Sequence, residues 1–328
     1  MQEIDRQILL KYDLEMKSAI PFRDGFIIGT ARGKKFLKRS ANPPEKVLFI
    51  HGAKEHLYKN NFKNLDRYVC TAEGLPYTLH EGATYTLSEM IEGNECNFDF
   101  ARDIAMASRL LAELHKASKG YVPPEGSVAR DDLGKLPQYF SKRLEEIKKL
   151  KKVAKRGKSI FDYMFLEHVD YFYTLGEDSI QKISSGDYSL MAEAAKREGG
   201  FCHHDFTHHN LIMKSEVIHI VNFDYCCFEL KTYDIANLIR RKMRKCNWDV
   251  KEAQNIINEY RKIEELGEKD FYMLKIMLQF PQKLWRVVNK YYNSKRSWSE
   301  RSFVAKLQEV IDEKECHGKF MSRFEEIY

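Results

Sequence analysis

Apolar residues alternate in short runs over the first ninety positions and then recur at helical spacing through most of the remainder. Gly25-Phe26-Ile27-Ile28-Gly29-Thr30 and Lys35-Phe36-Leu37-Lys38 read as strands, with a turn at Ala31-Arg32-Gly33-Lys34 between them. Pro43-Pro44-Glu45 opens a helix that runs to about Lys59, since proline fits a first helical turn and an acid there meets the positive end of the dipole. Leu75-Pro76-Tyr77-Thr78-Leu79 and Thr84-Tyr85-Thr86-Leu87-Ser88-Glu89-Met90 read as two further strands joined at Glu81-Gly82. Beyond Glu92-Gly93-Asn94 the period changes. Ile104, Ala107, Leu111, Leu114 and His115 share one helical face, which ends near Gly120 with Pro123-Pro124 beyond. Helices also fit 137–156, 160–183 and 188–197, whereas 201–225 reads as loop, strand, turn and strand. After Tyr233, Ile235, Leu238 and Ile239, then Ile256, Ile257, Tyr260 and Ile263, give more amphipathic helix. The expectation is an α+β chain. Residues 1–92 form a small mixed lobe with an antiparallel sheet and one long helix, and 93–328 form a larger, mainly helical lobe that carries the 201–225 loop.

Composition narrows the class. An apolar content of 43% with 12% aromatics, over 328 residues, supports a large core and excludes wholesale disorder. The seven cysteines are an odd number without a C-x-x-C pair, which points to reduced thiols and cytosolic synthesis. Met1-Gln2-Glu3-Ile4-Asp5-Arg6 lacks the apolar segment of a secretory leader. No apolar run reaches the ~18 residues of a membrane span. Neither secretion by the usual signal nor a membrane role is expected. The net charge of +6 is uneven: 142–158 holds nine basic residues against Glu145 and Glu146, and Arg240-Arg241-Lys242-Met243-Arg244-Lys245 forms a second cluster. Each reads as a solvated helix face, with docking to something acidic as the alternative. The basic and aromatic interleaving of a nucleic-acid surface is missing.

The candidate chemistry lies in Cys202-His203-His204-Asp205-Phe206-Thr207-His208-His209-Asn210. Its H-x-D-x-x-x-x-N spacing is that of the catalytic loop in kinase-like phosphotransferases. There the aspartate accepts the proton of the attacking hydroxyl, and the asparagine five residues on holds a magnesium ion. Asp205 and Asn210 fit those roles, and His203 fits the packing residue that fixes the loop. Apolar Leu211-Ile212-Met213, a turn at Lys214-Ser215-Glu216 and apolar Val217 to Val221 form a hairpin that returns Asn222-Phe223-Asp224 toward the first motif. Tyr233-Asp234-Ile235-Ala236 follows, where an aspartate at a helix start can brace such a loop. The plain alternative is a turn aspartate and an asparagine in an ordinary hairpin. A zinc site built from His203, His204, His208 and His209 with Cys202, Cys226 and Cys227 is a further alternative, although the spacing matches no standard zinc pattern.

Taken in order, Gly33 to Arg39, Pro44 to His51, Glu89 to Gly93, Leu111 to Ser118, the Cys202–Asn210 loop and Asn222 to Asp234 resemble the aminoglycoside phosphotransferase and choline kinase superfamily. Within it the chain is similar to the CotS-type spore coat proteins of endospore-forming bacteria. The resemblance covers about residues 20 to 240 and implies a protein-kinase-like two-lobed fold that uses ATP and Mg²⁺. It implies that Lys38 contacts the α and β phosphates, with Glu55 on the helix from Pro44 as its carboxylate partner. Glu89 to Ile91 would be the hinge that offers backbone groups to adenine. Asp205 would be the catalytic base, and Asn210 a metal ligand.

Two departures stand out. Asp24-Gly25 and Gly29 do not make a G-x-G-x-x-G phosphate loop. More seriously, the family's metal-binding aspartate aligns with Asn222, which has no charge and one ligand oxygen. Either Asn222 suffices, or Asp224, two residues on and on the same side of an extended segment, reaches the metal. Two functions follow as expectations. One is a phosphotransferase acting on an unidentified hydroxyl- or amino-bearing acceptor, small or coat-associated. The other is a catalytically impaired pseudokinase that serves the spore coat as a structural or binding component among other coat proteins. In both cases the chain is made in the cytoplasm of a sporulating bacterium and assembled into the coat.

Overall fold

The computed structural model describes residues 6–293 and 299–328. Met1 to Asp5, read above for a leader, lie outside the described residues. Contact density divides the chain into two units: residues up to Asp131 together with Glu198–Glu229, and Asp132–Arg197 together with Leu230–Tyr328.

In the first unit, α1 (Arg6–Leu10) leads to β1 (Ser18–Phe22), β2 (Gly25–Thr30) and β3 (Gly33–Arg39). The helix α2 (Pro44–Lys59) follows, and then β4 (Thr78–His80) and β5 (Ala83–Glu89). The five strands form an antiparallel sheet in the order β1-β2-β3-β5-β4. Alternation decides which side chains face the core. Ile28, Leu37 and Leu87 pack with Ile8, Leu9, Tyr12 and Leu14 on one face. Phe36 and Lys38, paired with Ser88 and Thr86, therefore present to the other face. The edge strand β1 was not read from the sequence. It is exposed along its whole length and contains Pro21, which is tolerated only at an edge. Between β4 and β5, Glu81 and Gly82 both take positive φ (48° and 71°), the two-residue hairpin turn that their sequence suggested.

The same unit holds β6 (Asn94–Glu95), α3 (Ala101–Ser118), β7 (Leu211–Lys214) and β8 (Val217–Ile220). The three strands form a second sheet, β6-β7-β8. A side chain at Gly93 would collide with the Met213 carbonyl, so this close approach of β6 and β7 requires glycine. The division thus runs differently from a single cut at residue 92. Pairing of β6 with β7 and packing of α2 on α3 keep α3 and the hairpin with the sheet-bearing unit.

The second unit is helical: α4 (Leu136–Ala154), α5 (Ile160–Ser185), α6 (Tyr188–Glu198), α7 (Lys231–Met243), α8 (Val250–Arg261), α9 (Glu268–Gln279), α10 (Gln282–Asn293) and α11 (Glu300–Ser322). Its core gathers Leu144, Ile147, Phe161, Phe165, Val288 and Leu307 from α4, α5, α10 and α11. Helix α5 starts at a capping box, in which Ser159 and Asp162 satisfy each other's backbone amides. All seven cysteines are free thiols. Among the described residues no helix is long and apolar enough to cross a membrane.

Candidate active site

The outer face of the five-stranded sheet is one wall of a cavity of about 650 Å³. Phe36, Lys38, Thr86 and Ser88 line it from the sheet, Met90 and Ile91 from the segment after β5, and Asn210, Asn222 and Asp224 from the hairpin region. Most of the residues singled out in the sequence thus meet at one place within the first unit.

Lys38 is the hub. Its Nζ contacts Asp224 Oδ2 at 2.7 Å, Asp24 Oδ2 at 2.6 Å and Asn222 Oδ1 at 3.3 Å. Burial alone would pull its pKa down, but the Asp224 charge and hydrogen bond, aided by Asp24, raise it above the usual lysine value. Asn222 sits in the left-handed region (φ 64°), which asparagine tolerates better than most residues. Its carboxamide works in both directions: Oδ1 accepts from Lys38, while Nδ2 donates to Asn210 Oδ1 at 3.4 Å. Asn210 Nδ2 in turn donates to the Asp205 carboxylate at 2.8 Å and to its backbone oxygen at 2.9 Å. One hydrogen-bonded run therefore links Asp205, Asn210, Asn222, Lys38 and Asp224. An aspartate at 222 could not donate to Asn210 Oδ1, and two acceptors would then face each other with a cation needed between them.

The backbone of the loop from His203 to Asn210 is held from behind. His203 is buried, donates its Nε2–H to the Val221 carbonyl (3.2 Å) and meets the Phe223 ring edge-on at 4.7 Å. Its Nδ1 also receives the Asp205 N–H at 3.3 Å. His204 takes positive φ (68°), turning the chain so that Asp205 follows at this point. Asp205 does not itself line the cavity and reaches it through Asn210. Of the histidines considered for zinc, His208 and His209 lie with Glu95 so that their ligand atoms fall within 4.8 Å of one another.

Glu55 is not brought to Lys38. It forms a two-pronged ion pair with Arg67 at 2.9 and 2.6 Å; burial would raise its pKa, but Arg67 holds it below the usual glutamate value. The α2 residue that faces the cavity is Lys54, only 1% exposed, with Nζ 3.0 Å from Asp66 Oδ1 and 4.0 Å above the Tyr68 ring. Asp66 Oδ2 also receives the Asn222 N–H at 3.4 Å, so a helix lysine and a loop aspartate support the Asn222 backbone. Burial, then the charges of Asp224 and Asp66, push the Tyr68 hydroxyl well above 10. The sequence reading missed Lys54, Asp66 and Tyr68. Lys54 had a signal, since it falls in register with Val47, Ile50 and Leu57 on the buried stripe of α2.

The segment Glu89 to Ile91 is braced. Lys35 Nζ holds both Glu89 carboxylate oxygens at 2.6 Å, the Glu89 N–H bonds Arg67 O (3.0 Å) and the Met90 N–H bonds Lys34 O (3.2 Å). Ile91 lines the cavity just beyond. In place of a glycine-rich loop, Arg23-Asp24 forms the β1–β2 turn, and Arg23 has positive φ (52°). Two ion pairs tie this turn to the cavity wall: Asp24 to Lys38, and Arg23 Nη2 to Glu95 Oε1 at 2.5 Å. Glu95 also meets His209 Nδ1 at 2.6 Å; despite a burial effect in the other direction, His209 and Arg23 lower its pKa.

A family model described as "Spore coat putative kinase YutH" matches residues 5–324. Spore coat protein S of Bacillus subtilis (strain 168) is 26% identical over 304 residues, which cover 92% of this chain and 86% of that protein. An aminoglycoside phosphotransferase from Alicyclobacillus acidocaldarius matches with a TM-score of 0.87 at 21% identity, over 99% of this chain and 96% of that one. A spectinomycin phosphotransferase solved with ADP and spectinomycin matches at 0.70 and 14% identity, over 97% and 99%. At those identities the two structures establish the fold. It is α+β and protein-kinase-like, with an antiparallel N-terminal sheet and a mainly helical remainder.

Proposed function

The chain belongs to the YutH family of spore coat kinase-like proteins, and on that footing we propose that it is a phosphotransferase of the spore coat, using ATP and Mg²⁺. Its acceptor is a hydroxyl- or amino-bearing group, either on a small molecule or on a coat component. The observation that carries this reading is the hydrogen-bonded run from Asp205 to Asp224 along a cavity of about 650 Å³. In this reading Lys38 neutralises nucleotide phosphates once Asp24, an exposed acid on the β1–β2 turn, gives way to them. The segment Glu89 to Ile91 meets the base; the Glu89 and Met90 N–H groups are engaged, so Ile91 is the residue best placed to donate. Asp205 takes the proton of the acceptor. The oxygens suited to magnesium are Asn210 Oδ1, the Asp224 carboxylate and Asn222 Oδ1, a hard donor set in keeping with that ion. When bound, the ion supplies charge neutralisation across the phosphates. Synthesis in the cytoplasm of a sporulating cell and assembly into the coat, beside other coat proteins, complete the proposal.

A second reading rests on Asn222 itself. Its amide is already satisfied by Asn210 and Lys38 without a metal, as suits an impaired kinase site kept as a scaffold or ligand-binding component of the coat. Calorimetric titration of ATP, with and without Mg²⁺, into wild type, Asn222→Asp and Asp205→Asn separates the two. Metal-dependent binding by wild type, retained in Asp205→Asn while phosphoryl transfer falls by about 10²–10⁴-fold, is expected of the enzyme. Metal-dependent binding gained only in Asn222→Asp overturns it in favour of the scaffold.

A further inference from the structure

The basic run 240–245 does not behave as a solvated helix face. Lys242 is buried, with Glu252 at 3.3 Å. Arg240 follows Tyr233 and Asn237 along one face of α7, at the spacing that stacks residues one above another. Within the second unit these three meet Arg143 of α4 and Arg286 of α10 around a narrow cleft. Phe140 and Phe280, stacked at 3.8 Å, form its apolar side. The cleft encloses about 340 Å³ if its open mouth is included, but only about 20 Å³ of that admits the centre of a water-sized group. It therefore suits one compact head group and not a whole nucleotide.

Two of the guanidiniums, Arg240 and Arg143, are positioned by neutral acceptors. Arg240 donates to Asn237 Oδ1 at 2.8 Å and to Met277 O at 2.6 Å. Arg143 donates to Gln282 Oε1 at 2.9 Å and lies 4.8 Å over the Trp285 ring. None of these acceptors is charged. Among the described residues, no carboxylate oxygen lies within 4.0 Å of Arg143, Arg240 or Arg286. The acids nearby make their direct contacts with other groups. Glu146 accepts from Trp285 Nε1 at 2.6 Å, and Glu309 and Glu313 take Lys283 at 3.3 and 2.7 Å. Burial, and then the charges of Arg286, Arg244 and Arg143 acting against the Tyr233 contribution, pull the pKa of Arg240 down to about 9. It is still protonated at neutral pH, so three like charges stand close together with no carboxylate in direct contact among the described residues, and only the Glu146 charge, acting on Arg143 from beyond 4.0 Å, offsets them in part. Such an arrangement is relieved by an oxyanion, whose geometry the planar fork of arginine matches.

We infer that this cleft binds the phosphate head of a small soluble phosphate monoester, held by Arg143, Arg240 and Arg286, with the rest of the ligand leaving through the open mouth. All of its residues belong to the helical unit, so the inference stands apart from the reading of the nucleotide cavity.

The probe is inorganic phosphate at neutral pH, with chloride matching the ionic strength and acetate as a second anion. Melting temperature and calorimetric affinity are read for wild type, Arg286→Gln, Arg143→Gln and Lys38→Met. Phosphate is expected to raise the melting temperature of wild type and Lys38→Met alike, and acetate to leave it unmoved. Each arginine substitution should weaken phosphate binding about ten-fold or more. Arg286→Gln, at an exposed position, should also melt no lower than wild type without phosphate, because it removes repulsion. No response in wild type, a response abolished by Lys38→Met, or a full response in Arg286→Gln would overturn the site. An equal response to acetate would overturn its assignment to phosphate.

Discussion

Lys54 bears a charge at a position 1% exposed, and a lysine there is tolerable only because Asp66 Oδ1 stands 3.0 Å away. The pair need not add net stability, but breaking it leaves one ion buried without a counterion. Lys54→Met or Asp66→Asn should therefore each cost about 3–5 kcal/mol. The double substitution should cost much less than their sum. Urea denaturation of the four proteins in a double-mutant cycle reads the coupling, and additive losses would show that the pair does not act as a unit. Because Asp66 Oδ2 also receives the Asn222 N–H, Asp66→Asn should disturb the proposed nucleotide binding as well as stability. This is also where the sequence was half legible. The spacing of Val47, Ile50, Lys54 and Leu57 put a lysine on the buried stripe of α2, but the family pattern directed attention to an acid and so to Glu55, which sits at the stripe's edge and pairs with Arg67. Asp66 has no motif around it, and only the folded loop brings it to the helix. Asn222 was conspicuous in the sequence. That its amide would bridge Asn210 and Lys38 depends on a left-handed backbone at 222 that no spacing rule reveals.

At the level of elements, the hairpin β7–β8 brings Asn210 and Asn222 together at its open end, and its register rests on a two-residue turn. Ser215 and Glu216 fill that turn with φ of 48° and 67°, although neither residue favours the left-handed region. Asn-Gly is the pair this turn geometry prefers. Ser215→Asn combined with Glu216→Gly should stabilise the first unit by about 1 kcal/mol. The gain includes the loss of an exposed ion pair between Arg102 and Glu216, worth ~0–1 kcal/mol. The shift in urea midpoint measures it, and a midpoint that stays put or falls would show that the native turn carries no removable strain. The hairpin itself was legible because two apolar runs flank a polar break. The turn type was not, since its residues lack the usual signature. Strand β1 was hidden for a related reason: its short run Ala19-Ile20-Pro21-Phe22 shows no alternation, and a proline inside it argues against a strand. The helices, each with a buried stripe, were the easiest elements to read, and their ends in the structure lie within about two residues of those expected at α4, α5 and α6.

For the molecule as a whole, pH is the variable that reaches both units. Burial, the largest influence in each case, lowers the pKa of His51 and His219 in the first unit and of His317 in the second below the usual 6.5. Above 6.5 these rings are neutral whether folded or unfolded, so their contribution is fully present there. As pH falls through 6.5 the unfolded chain takes up protons that the native rings refuse, and stability declines until pH passes the folded values. Each such histidine contributes a slope of up to about 1.4 kcal/mol per pH unit inside that window. A second decline starts lower. Glu55, held down by Arg67, and Asp162, held down by Tyr292 and Ser159, both against an opposing burial effect, lose their contribution as pH drops below 4.5 and 3.8 and through their folded values. Urea midpoints across this range should therefore fall in two steps on acidification, the first below pH 6.5. His317 packs edge-on against Trp248 at 4.5 Å and bonds the Leu278 carbonyl through Nε2 at 3.1 Å. His317→Gln keeps a polar group there but removes the titration, so it should flatten part of the first step. If the two units unfold separately, it should do so only in the transition of the helical unit, which Trp248 fluorescence follows. A first step unchanged by His317→Gln, or stability that rises as pH falls through 6.5, would show that burial does not govern these histidines.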